Sequence, residues 1–162
     1  MSTLKASVST SLRLADIQSV LSPSDAILTF VLAEPRSYCL VITRRMSRVV
    51  PLSSKRVIED RTTTYRNAVS NKLSAFGEAR GLYRILLQPV REAASARRLI
   101  VVRDGVLHLL PFDALVAPSG QYVLQDRIVE YAPSATSYYV LNRFRDDTNG
   151  QYDAGAALAV GG

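Results

Sequence analysis

Between residues 26 and 52 the apolar positions of this chain fall into short β-prone runs. Residues 26–33 and 37–43 are separated by Glu34-Pro35-Arg36, and 47–52 follows a second brief break. The economical reading is an antiparallel meander of three strands. From Ser53 the period becomes that of a helix. Val57, Ile58, Tyr65, Ala68, Val69 and Phe76 make one stripe, with Arg56, Asp60, Arg66 and Lys72 on the other side. Thr62-Thr63-Thr64 weakens this helix, because β-branched residues lose rotamer freedom there. Gly77 and Gly81 interrupt the pattern, and a second stripe of Leu82, Tyr83, Leu86, Leu87 and Val90 begins. Pro89 removes an internal hydrogen bond, which predicts either a kink or a new helix with Pro89 in its first turn. Upstream, Leu12, Leu14, Ile17, Val20 and Leu21 recur at helical spacing until Ser22-Pro23-Ser24-Asp25 closes the segment. That short helix either packs on the domain edge or ends a repeat array.

Residues 97–135 organise the rest. The unbroken apolar run 99–102 has the signature of a strand covered on both faces. Asp104-Gly105 then predicts a tight turn, with 106–110 returning as the second arm of a hairpin. Pro111 cannot donate to a ladder, so 111–115 reads as a turn whose Phe112 and Leu115 point into apolar surface. Residues 122–124 and 128–131 read as short strands. Pro133-Ser134 starts a helix carrying Tyr138, Leu141 and Phe144, residues 146–150 form a loop, and 156–160 is a buried strand ending at Gly161-Gly162. With the helix from Ser134 as a crossover, 99–102 is expected at the centre of the sheet and 156–160 as a parallel neighbour. The fold class is therefore α/β in three layers, a mostly parallel sheet between helices with an N-terminal antiparallel meander.

The order of these segments carries a resemblance. An apolar strand, Asp-Gly, Leu-Pro-Phe-Asp-Ala-Leu at 110–115, Tyr-Val-Leu at 122–124 and Val-x-Tyr-Ala-Pro-Ser-Ala at 129–135 resemble the CHAT domain, a caspase-like module often found beside tetratricopeptide repeats. Residues 81–90 resemble the helix before that family's core strand, and 38–52 its upstream strand pair. The resemblance covers most of the chain from about Ala26 onward. It implies an incomplete caspase-like sheet, with 1–24 a leader helix and linker and 25–162 the N-terminal portion of the domain. The family's catalytic dyad is a His after one core strand and a Cys after a later one, and both motifs lie beyond the strand at 156–160. The chain thus resembles the first part of a cysteine endopeptidase of the caspase and separase type, supplying scaffold and part of the substrate groove. Its expected partner is a protein or peptide substrate met by the full-length parent. The alternative is a non-catalytic interaction module working with a repeat-containing partner, and the coding sequence after Gly162 discriminates the two.

Composition adds bounds. At 162 residues, 48% hydrophobic and 21% charged, the chain suits one domain with a real core and is not composed like a disordered protein. It has neither an apolar run of membrane-spanning length nor a signal-peptide core, so a cytoplasmic location without membrane contact is the expectation. The single Cys39 has no internal disulfide partner, in keeping with a reducing compartment. A net charge of +6 serves solubility, or, if clustered on one face, an acidic partner. Nucleic acid is not an expected partner.

Few residues are candidates for chemistry. His108, the only histidine, is placed mid-strand by the hairpin reading, away from the carboxyl ends of strands where catalytic groups gather. Cys39 reads as a buried apolar residue rather than a nucleophile. Ser134 and Ser137 open a helix, but Gly-x-Ser-x-Gly is missing and capping explains them. Gly155, Gly161 and Gly162 do not compose a phosphate loop, and no Cys/His spacing suits a metal. Arg44, Arg45 and Arg48 surround a hairpin turn, where charge protects a sheet edge or docks a partner. No catalytic, cofactor or metal residue is therefore assigned. If 156–160 is left at an uncovered sheet edge, the chain is expected to self-associate there.

Overall fold

The computed structural model describes residues 12–149, with 144–149 described in backbone only. The three predicted meander strands form where expected: β1 (Asp25–Val31), β2 (Tyr38–Thr43) and β3 (Ser47–Pro51). They pair antiparallel, β1 with β2 and β2 with β3. The apolar run after them becomes β4 (Arg98–Val102), and β5 (Ile128–Tyr131) follows it. β4 lies parallel to β1 on one side and to β5 on the other, giving the order β3-β2-β1-β4-β5. β4 is an interior strand with a neighbour on each side, as its apolar run at 99–102 demands, and β1 is the middle one of the five described strands. The sheet as a whole is evenly mixed rather than mostly parallel.

Helices cover both faces. On one lie α2 (Lys55–Ser70), α3 (Phe76–Leu86) and α4 (Arg91–Ser95), whose buried Ile58, Tyr65, Leu82, Leu86 and Ala93 meet Ala26, Leu28, Phe30, Cys39, Val41, Leu99 and Val101. On the other, α1 (Leu14–Ser19) and α6 (Ala135–Asn149) cover Ile27, Ile42, Ile100 and Val102 with Leu21 and Tyr138. The strand alternation, Ala26, Leu28 and Phe30 to one side and Ile27 to the other, makes the three layers. Between β4 and β5 the chain forms two 3-10 turns (Gly105–Leu109 and Phe112–Ala114) and the short α5 (Val123–Asp126).

Several expectations are corrected. Asp104-Gly105 does not open a hairpin. Asp104 is extended (φ −128°, ψ 142°), so only Gly105, at φ +50°, takes the left-handed backbone that a two-residue turn needs at both positions. The Asp104 carboxylate is engaged elsewhere, accepting the Leu32 N–H at 2.8 Å. A returning arm would also need a free side of β4, and β1 and β5 occupy both. Residues 105–109 instead bury Leu107, with Leu110 buried three positions on, the period of a 3-10 turn.

The helix stripe shifts too. Val57 and Val69 are exposed, and Thr62 is buried with Ile58 and Tyr65 because its hydroxyl is satisfied by the Ile58 carbonyl at 2.8 Å. Phe76 begins α3 rather than continuing α2, which ends at Ser70 before Lys72 turns left-handed (φ 55°). Gly77 and Gly81 lie inside α3, sustained by buried Ala79, Leu82, Tyr83 and Leu86 at helical spacing. Pro89 falls in the connection between α3 and α4, neither kinking a helix nor starting one. Tyr122 contributes only an isolated bridge to Val116, and α5 follows because the Gln125 side chain accepts the Tyr122 N–H at 2.7 Å. Residues 146–149, expected as a loop, continue α6. The expected strand at 156–160, with Gly155, Gly161 and Gly162, lies outside the described residues.

Candidate functional site

In a sheet with parallel strands, the carboxyl ends are where loops converge and ligands bind. Here those ends are Val31, Val102 and Tyr131. Just beyond β4, Arg103 lays its guanidinium over the Tyr131 ring, 4.1 Å from the centroid, and donates to the His108 carbonyl at 3.0 Å. The Tyr131 hydroxyl accepts the Phe112 N–H at 2.8 Å and donates to the Asp113 carboxylate at 3.3 Å. Burial pushes the Tyr131 phenol up from its ordinary pKa, so it stays a proton donor, although the Phe112 N–H pulls the other way. Asp104 ties the same loop to the end of β1. Five elements are thereby fixed at one end of the sheet: β1, β4, β5 and the two 3-10 turns.

This end holds the one group whose placement the sequence misjudged most. His108 is not mid-strand. It projects exposed from the first 3-10 turn, past the carboxyl end of β4. The misreading follows from the hairpin error and removes position as an argument against it. The argument that remains is the lack of a nucleophile beside it, for no hydrogen bond joins His108 to Cys39, Ser134 or Ser137 in the described residues. Cys39 sits on β2 between Phe30 and Val50, fully buried beneath the helices. Burial pushes its thiol up to about 12, with the Glu92 carboxylate adding to the rise and Arg48 opposing it. A thiol that keeps its proton at neutral pH is not an activated nucleophile. Alkylation therefore has to await unfolding: iodoacetamide should leave Cys39 unmodified in buffer at pH 8 and modify it fully in denaturant. Because the native thiol holds its proton where the unfolded one loses it, this group also makes stability fall as pH rises from 9 toward 12.

The serines behave as caps. Ser134 Oγ accepts the Ser137 N–H at 3.0 Å and lies 2.9 Å from Ser137 Oγ at the start of α6. Arg48 does more than protect an edge. It makes a two-pronged pair with Glu92 at 2.7 and 2.8 Å, clamping α4 to β3 and holding the Glu92 carboxyl below its ordinary pKa. Arg44 donates to the Leu21 carbonyl at 3.2 Å, tying the β2–β3 turn to the segment before β1. No group of His, Cys, Asp and Glu among the described residues could hold a metal ion, and no described helix is long and apolar enough to cross a membrane. The Arg103–Tyr131–Asp113 arrangement was invisible in the sequence, since three residues from three elements meet only after β5 pairs with β4.

A family model for the CHAT domain matches residues 77–162, just over half of the chain. The match takes in α3 from Gly77, β4, β5 and the two 3-10 turns between those strands, and leaves out β1, β2 and β3. No curated protein matches the chain.

Proposed function

Because the chain belongs to the CHAT-domain family, which is caspase-like, we propose that it is the scaffold-bearing N-terminal part of a cysteine endopeptidase and does not itself carry the His/Cys dyad. In this reading the sheet and its covering helices hold the carboxyl-end loops as one wall of a peptide groove. The observation that carries it is the fixed constellation at that end, with Arg103 over Tyr131 and the Tyr131 hydroxyl on Asp113. A guanidinium and a carboxylate both held on one tyrosine can bind a peptide's carbonyl and amide groups. The chemistry itself, deprotonation of a thiol by a histidine and attack of the thiolate on a peptide carbonyl, belongs to residues other than Cys39 and His108.

Amide chemical shifts test the groove. Titration of the chain with a mixed tetrapeptide pool at millimolar concentration should perturb residues around Arg103, His108, Asp113 and Tyr131, and Arg103→Ala should remove the response. Shifts confined to helix surfaces instead would favour the interaction module that works with a repeat-containing partner. An absence of any shift would remove the groove from the account.

A further inference from the structure

We propose that the cleft between α2 and α3 is a binding site for a compact phosphoryl anion of the diphosphate class. The cleft has a volume of about 380 Å3 and is lined by Arg61 from α2 and by Arg80 and Arg84 from α3, with Gly77, Gly81 and Pro118. Arg80 and Arg84 are four residues apart and so share one face of the helix, an arrangement of like charges that destabilises a helix unless something neutralises it. No ion pair among the described residues does so. Among the described residues the ion pairs involve Arg48, Lys55, Arg56 and Arg98, and none involves these three arginines. Arg80 is steadied by the Pro118 carbonyl at 3.1 Å, a contact that orients the guanidinium without cancelling its charge. Glu78, the single carboxylate on α3, borders the adjoining hollow with Arg61 and Gly77, so three guanidinium groups outnumber one carboxylate.

The two glycines shape the cleft. A Cβ at Gly81 would stand 3.1 Å from Arg61 Nη1, so the bare helix backbone gives that guanidinium room to lie against α3 without a small shift. At Gly77 a Cβ would meet nothing within 4 Å, which marks open space. Three planar forks around one small volume suit an anion that concentrates several oxygens and charges in a few ångströms. A diphosphate does this, whereas carboxylates along a peptide are spread over a longer track. This assignment is independent of the peptide-groove reading, because the cleft lies in the helix layer and uses none of the carboxyl-end residues.

Calorimetric titration of the chain with sodium pyrophosphate at low ionic strength tests it. Saturable binding of one equivalent is expected, weakened roughly tenfold or more by Arg61→Gln or by Arg84→Gln. Arg45→Gln, in the distant β2–β3 turn, should leave it unchanged. Gly77→Leu should block binding by filling the open space with every charge retained. Thermal melts of each variant report whether it folds. The proposal is overturned if pyrophosphate does not bind, or if Arg45→Gln weakens binding as much as the cleft variants do, which is what diffuse attraction to a basic surface predicts. It is also overturned if a hexaglutamate peptide binds more tightly than pyrophosphate through the same arginines, since the site would then serve an acidic protein partner.

Discussion

Replacing Phe112 by alanine should destabilise the chain by about 3–5 kcal/mol, the usual cost of emptying an aromatic site in a packed core. Phe112 is fully buried, and its ring centroid lies 5.2 Å from that of Phe30 on β1 at a 41° tilt. Its N–H is held by the Tyr131 hydroxyl, so one residue links the second 3-10 turn, the central layer and the end of β5. For a chain of this size the loss corresponds to roughly 10 °C in Tm. Phe112→Leu, which keeps most of the volume, should cost less than half as much. Thermal denaturation of the two variants decides it, and equal small shifts would mean that the turn packs against the core far less firmly than the geometry indicates.

The role of Phe112 was legible in the sequence, and the reason is instructive. Pro111 excluded a strand, and the spacing of Phe112 and Leu115 pointed both toward apolar surface, which is where both lie, fully buried. Boundaries of β1, β2 and β3 were legible for a similar reason, since alternation and turn residues act locally. The misread segments turned on single side-chain contacts or on burial, neither of which periodicity reports. Asp104 chose the Leu32 amide over its own turn. Thr62 became a core residue by returning its hydroxyl to the Ile58 carbonyl. Gly77 and Gly81, read as breaks, stay helical because four neighbouring side chains are buried. The Arg103–Tyr131–Asp113 site left no local signal, since its members are spaced irregularly and are brought together by sheet order alone.

The second large effect is expected at Asp25, whose replacement by alanine should cost about 3–5 kcal/mol. Asp25 begins β1, directly opposite Arg98 in the parallel register with β4, and its side chain is 2% exposed. Its carboxylate accepts Arg98 Nε at 3.1 Å, Arg98 Nη2 at 2.8 Å and the Ser22 N–H at 2.8 Å. Removing it strands part of a guanidinium whose other carboxylate, Glu130 on β5, stands at 3.5 Å. It also frees the loop that leads from α1 into the sheet. The double variant Asp25→Leu, Arg98→Met should recover much of the loss, because an apolar pair leaves no unpaired charge. Denaturant unfolding of the single and double variants checks this. Recovery indicates that the pair specifies register more than it stabilises, and no recovery indicates that the Ser22 contact dominates.

Under the proposed function this chain carries the scaffold and carboxyl-end wall of a CHAT-type domain, while the dyad lies in other residues. The most direct measurement is hydrolysis of a broad fluorogenic peptide library by the purified 162-residue chain, alongside its Cys39→Ala and His108→Ala variants. The account predicts no turnover above buffer for any of the three. Peptidase activity in the parent chain that disappears in both variants would contradict it.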